Sequence, residues 1–253
     1  MFVLSYLVIH LNNQLLIIFI AKDFDIQTLW FFSHIEIIPG LMSAGISQDV
    51  RIAITMAVPS VSLLLALAGQ FTYLSTTMRY AWLSYFLLWW ISHGYNQFFG
   101  MFGLTPFIGD YQQYITSVLS VSLSVKVILA TASIFILYKI GENIGRAVLA
   151  KTGDYSVEKT KSRLEYLTFS LLLPWITGSL ILLSMSGWQA DEFGYSFITL
   201  AAVILPALIT ARKPLPEEIR KQYFNNSISL FVFGATVILA TGYYLITKNG
   251  ISF

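Results

Sequence analysis

The sequence predicts an all-α polytopic membrane bundle of about seven transmembrane helices, and three observations carry that prediction. Of 253 residues, 56% are hydrophobic and only 11% charged, with mean hydropathy +0.70, whereas an ordinary soluble domain carries about 25% charged residues. The apolar runs are far longer than the ~10-residue strands of an outer-membrane barrel and lack their alternation. The basic residues gather in two loops, the pattern that orients a helical bundle in its membrane.

The first span is Phe2 to Ala21. Twenty helical residues rise about 30 Å, just enough to cross a hydrocarbon core. Lys22 to Asp49 is too polar for an easy crossing. It reads as an interfacial or partly re-entrant excursion over 22–50, a short hairpin ending at Pro39-Gly40, with Trp30 at headgroup depth. A second span covers Ile52 to Tyr73 and is kinked at Pro59 among small residues, which favour close helix approach. The third runs from Tyr80 to the Gly100 region and the fourth from Ile115 to Tyr138, with Lys126 at its centre. A hydrophilic loop over 139–164 follows, with a short helix around Glu142 to Leu149. Three last spans are placed at Tyr166 to Ser186, Phe197 to Thr210 and Ile228 to Leu245. No internal repeat is found, so 1–253 reads as one integral membrane domain.

Lys139, Arg146, Lys151, Lys159, Lys161 and Arg163 crowd the loop before the fifth span, and Arg212, Lys213, Arg220 and Lys221 that before the seventh. The short loops around Asp110 and Gly187 to Gly194 hold no basic residue. The positive-inside rule makes the two basic loops cytoplasmic and predicts a multi-pass protein of the cell inner membrane with its amino terminus in the cytoplasm. Nucleic acid is not an expected partner; membrane lipids and another membrane protein or transmembrane segment are. The absence of cysteine excludes disulfides, thiolate nucleophiles and cysteine-ligated metals. The start lacks a basic region and a small-residue cleavage site, so no cleavable signal peptide is expected.

The first span is interrupted at mid-depth by His10, Asn12, Asn13 and Gln14. His10, Asn13 and Gln14 fall at i, i+3 and i+4 and so share one helical face. That face must meet protein or water, because an unpaired polar group in hydrocarbon costs several kcal/mol. Two readings follow: hydrogen-bonded glue between helices, or an intramembrane site. His93 and Asn96 interrupt the third span, and Asp110 and Lys126 are the charges nearest membrane depth. Together His10, Asn13, Gln14, His93, Asn96, Asp110 and Lys126 define a candidate polar chamber.

The order of these features resembles the site-2-protease family of intramembrane zinc metallopeptidases. That family carries H-E-x-x-H in its first core helix, Gly-Pro with small residues in its second and an aspartate ligand in Asn-x-x-Pro…Asp-Gly in its third. The corresponding stretches here are His10-Leu11-Asn12-Asn13-Gln14, Val58-Pro59-Ser60-Val61-Ser62 and Leu104 to Tyr111 with Asp110. The resemblance covers roughly residues 1–115 and implies His10 and Asp110 as metal ligands. The departures bear on function: Leu11 replaces the general-base glutamate, Gln14 the second histidine and Tyr111 the glycine after the aspartate. Catalytic zinc needs three protein ligands, an open position and a nearby base, and a Gln amide is a poor imidazole substitute.

Three readings result. The first is a non-catalytic, metallopeptidase-like pseudoenzyme that binds or presents membrane segments, needs no cofactor, and pairs Lys126 with Asp110. The second is a metal-dependent membrane peptidase with zinc on an unusual set drawn from His10, His93, Asp110 and Glu36. The third is a small permease or export-complex subunit whose polar groups line a path.

Overall fold

The computed structural model describes residues 1–38, 45–75, 80–104, 122–150, 160–187, 191–213 and 230–253. The fold is helical. Helix α1 spans Phe2–Asp23, and strands β1 (Gln27–Trp30) and β2 (Ile35–Ile38) follow as a hairpin. Helix α2 spans Gln48–Ser75 and α3 spans Ala81–Tyr95, the latter continued by a π-helical segment over Asn96–Leu104. Helix α4 covers Leu123–Leu149. Helix α5 (Thr160–Leu167), a π turn (Thr168–Leu172) and α6 (Leu173–Met185) form one rod. Helices α7 (Asp191–Thr199) and α8 (Ala201–Ile209) follow, then a short 3-10 turn at Thr210–Arg212. Helix α9 (Leu230–Thr247) leads into strand β3 (Ile251–Ser252).

Five continuous rods are long and apolar enough to cross a membrane: Phe2–Asp23, Gln48–Ser75, Leu123–Leu149, Thr160–Met185 and Gly194–Arg212. Their outward faces carry exposed side chains such as Phe19, Phe71, Ile128, Phe135 and Phe169. Inside, Tyr6, Leu7, Trp89, Leu137, Leu167, Leu200 and Ile204 belong to one continuous core.

Small residues set the closest helix contacts. A Cβ on Gly94 of α3 would stand 2.8 Å from both the Ser62 carbonyl and the Ala66 Cβ of α2, so only glycine permits this crossing. Gly141 and Gly145 of α4 do the same against Val203, Pro206 and Ala207 of α8, a small-xxx-small seam that lets two backbones approach.

Two sequence expectations are corrected here. Lys126 is not at the centre of a span: α4 starts at Leu123, after extended Ser122, so the lysine occupies the first turn. From there a long alkyl stem carries an ammonium to the interface at little cost. The helix expected around Glu142 to Leu149 is present, but no loop precedes it: it continues α4 through Lys139, because Leu137, Gly141, Ile144, Gly145 and Val148 all turn inward at helical spacing.

The segment after α1 turns back as expected, but as a sheet. Its order is β2-β1-β3, both pairs antiparallel, with Leu29 opposite Glu36 on one side and Ser252 on the other. The Thr28 N–H donates to the Phe253 carbonyl at 3.1 Å and the Phe253 N–H to the Thr28 carbonyl at 2.9 Å. The last residues of the chain thereby clamp the first hairpin.

Candidate functional site

The polar face of α1 is the nucleus of the site. His10 is buried, and its Nε2–H donates to the Phe32 carbonyl at 2.9 Å in the tautomer that this contact requires. Phe32 lies beyond β1, so the hairpin's tip reaches the level of the middle of α1. Thirteen residues separate His10 from the end of α1, about 20 Å of helix at ~1.5 Å per residue. The hairpin therefore folds back alongside the middle of α1.

Gln14, also buried, accepts through Oε1 from both the Trp30 indole N–H and the Tyr243 hydroxyl. The indole N–H of half-buried Trp30 thus finds an amide partner on α1, as an indole out of contact with water requires. The Tyr243 ring lies 5.0 Å from that of Phe32. Asn13 faces α2 instead, donating to Ser62 Oγ at 2.9 Å while Ser62 donates back to Asn13 Oδ1 at 3.1 Å. One helical face thus holds three different elements: the hairpin, α9 and α2.

The second polar group lies on α3 and its π segment. His93 is buried among aromatic rings: Phe2 at 4.7 Å, Tyr6 at 5.2 Å and Trp89 at 5.8 Å between centroids. Tyr6 also stacks on His10 at 5.5 Å, so one phenol ring serves both imidazoles. Asn96 Nδ2 donates to the Ser196 carbonyl at 2.7 Å, and Gln97 Nε2 to Ser196 Oγ at 3.2 Å. His93 Nε2, Asn96 Oδ1 and Gln14 Nε2 are buried with no hydrogen-bond partner among the described residues.

The structure thus divides the predicted chamber. His10, Asn13 and Gln14 form one cluster and His93 with Asn96 a second, linked through Tyr6. Lys126 belongs to neither, by its place in the first turn of α4. Asp110, and with it the proposed pair with His10 or Lys126, lies outside the described residues. Glu36 is exposed on β2. Among the described residues no group of three His, Asp or Glu side chains is placed to hold a metal ion.

Sequence reading missed four participants: Trp30 and Tyr243 as donors to Gln14, Ser196 as partner of Asn96, and the buried carboxylate of Glu142. Glu142 receives Lys139 Nζ at 3.0 Å and Lys213 Nζ from beyond α8. Its signal was present in the sequence. An acid set between Gly141 and Gly145, three residues after a lysine, sits beside the small-residue seam and so must turn inward. Arg163 Nη1 donates to the Lys213 carbonyl at 2.8 Å, so residues from both basic loops meet at one end of the bundle.

Comparison with family models, with curated proteins and with solved structures returns no match. Function therefore rests on the residues themselves.

Proposed function

We propose that this chain is a seven-span integral membrane protein, amino terminus in the cytoplasm, that binds or presents another membrane segment and does no peptide chemistry. The observation that carries the reading is what the α1 face does: the His10 imidazole and the Gln14 amide are spent on holding the protein's own re-entrant hairpin and α9. In the site-2-protease-like arrangement the same positions would present ligands to zinc and a base to water. Here Leu11 supplies no base, and the second ligand position holds an amide engaged by Trp30 and Tyr243.

The binding half of the reading rests on the sheet. β2 is its outer strand, and an extended stretch flanking a transmembrane segment adds to such an edge through main-chain hydrogen bonds. Exposed apolar side chains on the long helices support a lipid environment, since soluble monomers rarely expose contiguous patches beyond a few hundred Å².

Metal analysis of the purified full-length protein tests the reading. The expected result is no stoichiometric zinc in wild type, even after zinc loading and desalting. One zinc per chain, lost in both His10→Ala and Asp110→Ala, would overturn it in favour of a metallopeptidase with an unusual ligand set.

One observation favours a second reading, a small permease. The buried His93 Nε2 and Asn96 Oδ1 have no partner among the described residues and lie at i and i+3 where α3 becomes π-helical, a form enriched at functional positions. Proton or ion flux in proteoliposomes, abolished by His93→Leu, would support it; an electrically silent membrane would remove it.

A further inference from the structure

A cavity of about 590 Å³ lies among the start of α1, the first half of α3, the α5–α6 rod and α9. That volume falls within the ~300–1,000 Å³ of small-molecule sites. Phe169 and Phe233 border it and are 69% and 65% exposed. Both belong to helices whose outer faces are apolar, so in a bilayer the cavity fills from hydrocarbon rather than water. None of the side chains that line it is charged, and burial pushes the Met1 amine at the start of α1 below its ordinary range. A charged head group would meet no counter-ion there, and an unpaired charge is costly to bury. The occupant is therefore neutral.

The walls are aromatic. Trp82, Tyr85 and Trp89 recur at i, i+3 and i+7, so one stripe of α3 turns to the cavity, and Tyr166 and Phe169 border it from the α5–α6 rod. Two of these rings carry unused donors. Trp30, Trp90 and Trp175 donate their indole N–H to Gln14, the Leu65 carbonyl and the Phe197 carbonyl. Trp82 and Trp89, the indoles that line the cavity, donate to no acceptor among the described residues, although Trp89 is only 2% exposed. A buried indole N–H ordinarily finds a partner, and an orphaned donor is rarer than an under-used acceptor. The neighbouring hydroxyls are already engaged: Tyr85 with Tyr166 at 2.6 Å and with Ser170, Thr177 with the Leu173 carbonyl and Thr236 with the Val232 carbonyl. What the cavity lacks is an acceptor.

We propose that this cavity binds the head ring of a lipid-tailed quinone, a flat and uncharged ring whose carbonyl oxygens accept from the Trp82 and Trp89 indoles. Ring carbonyls bring acceptors and no protons, which suits a wall whose spare groups are donors. A flat ring also meets aromatic side chains in the offset or edge-on packing that they favour, while its tail leaves for the bilayer past Phe169 and Phe233. A diacyl lipid brings carbonyls without the ring, and an alkylbenzene the ring without carbonyls. The proposal needs the membrane placement given above but not the binding of a membrane segment, so a zinc-loaded chain would overturn that reading and leave this one standing.

The test uses the purified full chain in neutral detergent and reads binding as the rise of the thermal midpoint with ligand concentration, since a ligand of the folded state stabilises it. Decylubiquinone is the probe; decylbenzene and dioleoylglycerol are the comparisons. Wild type should bind the quinone at least about tenfold more tightly than either. Trp82→Phe keeps an aromatic ring and removes the N–H, so it should weaken the quinone by roughly tenfold and leave decylbenzene unchanged. Equal titration by decylbenzene would overturn the proposal in favour of unselective apolar filling, and equal titration by dioleoylglycerol in favour of an ordinary bilayer lipid. Unchanged quinone affinity in Trp82→Phe would overturn it too. Thr177→Phe and Thr236→Phe fill the cavity from different helices, and either one, if it keeps the wild-type midpoint without ligand, must bind the quinone more weakly or the site is wrong. Should the variants not fold, an azido-substituted quinone decides the matter on wild type: its photolabel must fall on the cavity wall, at Trp82, Tyr85 or Tyr166, and labelling confined to other segments counts as failure.

Discussion

Gln14 carries two donors from elements far apart in the chain, Trp30 and Tyr243, and removing it leaves each with one longer contact, the Trp30 N–H on the Tyr243 hydroxyl at 3.2 Å and that hydroxyl on the Phe32 carbonyl at 3.3 Å. A buried donor left with no acceptor costs about 1–3 kcal/mol. Gln14→Leu, which weakens both donors without stranding either, is therefore expected to lower stability by about 1–3 kcal/mol in all, whereas Tyr243→Phe, which removes one donor and leaves the acceptor to Trp30, should cost less. The double variant should fall short of the sum, because both changes break one shared contact. Thermal unfolding in a single detergent measures all three, and strict additivity would show that the two side chains do not act on the same oxygen. His10 belongs to the same scale of argument. Its presence at mid-span was legible in the sequence, as was the need for a partner; the identity of that partner, a main-chain carbonyl 22 residues away, was not.

At the scale of elements, the α4–α8 seam is the most demanding contact. A Cβ at Gly145 would lie 2.9 Å from the Ala207 Cα, backbone that has no room to move. Gly145→Leu should destabilise by more than about 2 kcal/mol, the usual range for overpacking being 1–3. Gly234→Ala in α9 is the control: nothing lies within 4 Å of its added methyl, and helix propensity predicts a gain of up to about 1 kcal/mol. If the two substitutions have equal effects on unfolding, the close approach is wrong. The hairpin offers a second element-level prediction. Deleting residues 250–253 removes the Phe253 carbonyl that accepts from the Thr28 N–H, and hydrogen exchange at Thr28 should accelerate by at least about tenfold, a loss of ~1.4 kcal/mol of local protection. An unchanged rate would mean that β3 does not clamp the sheet.

At the scale of the whole molecule, Lys139 and Lys213 meet on Glu142 in the second half of α4, with Arg163 joined to Lys213, while Lys126 occupies the first turn of the same helix. The chain contains no cysteine, so single cysteines can be read without background. Cysteine introduced at Arg212 should react with a membrane-impermeant maleimide only from the cytoplasmic side of oriented vesicles. Cysteine introduced at Lys126 should react only from the other. Labelling of both from one side would overturn the seven-span topology. Glu142→Gln removes the carboxylate that Lys139 and Lys213 share and should cost stability, because breaking the pair leaves like charges facing one another.

Composition and run length sufficed for the helical class and for the approximate positions of most long apolar rods, though not for α4, which runs over Leu123–Leu149 rather than from Ile115 to Tyr138, since a helix core demands apolar residues whatever the neighbours are. The mid-span amides and imidazole announced themselves for the same reason: a polar side chain at that depth must be satisfied by something. What satisfies it is a question of which distant segments arrive there, and that was decided only by the tertiary structure. The hairpin's depth, the closure of its sheet by the last residues, the division of the chamber by Tyr6 and the inward turn of Glu142 all depend on contacts between residues separated by tens to hundreds of positions. Local periodicity carries no information about such pairs, because each segment's own pattern is the same whether its polar group meets lipid headgroups, a metal or, as here, a hairpin and a helix from the other end of the chain.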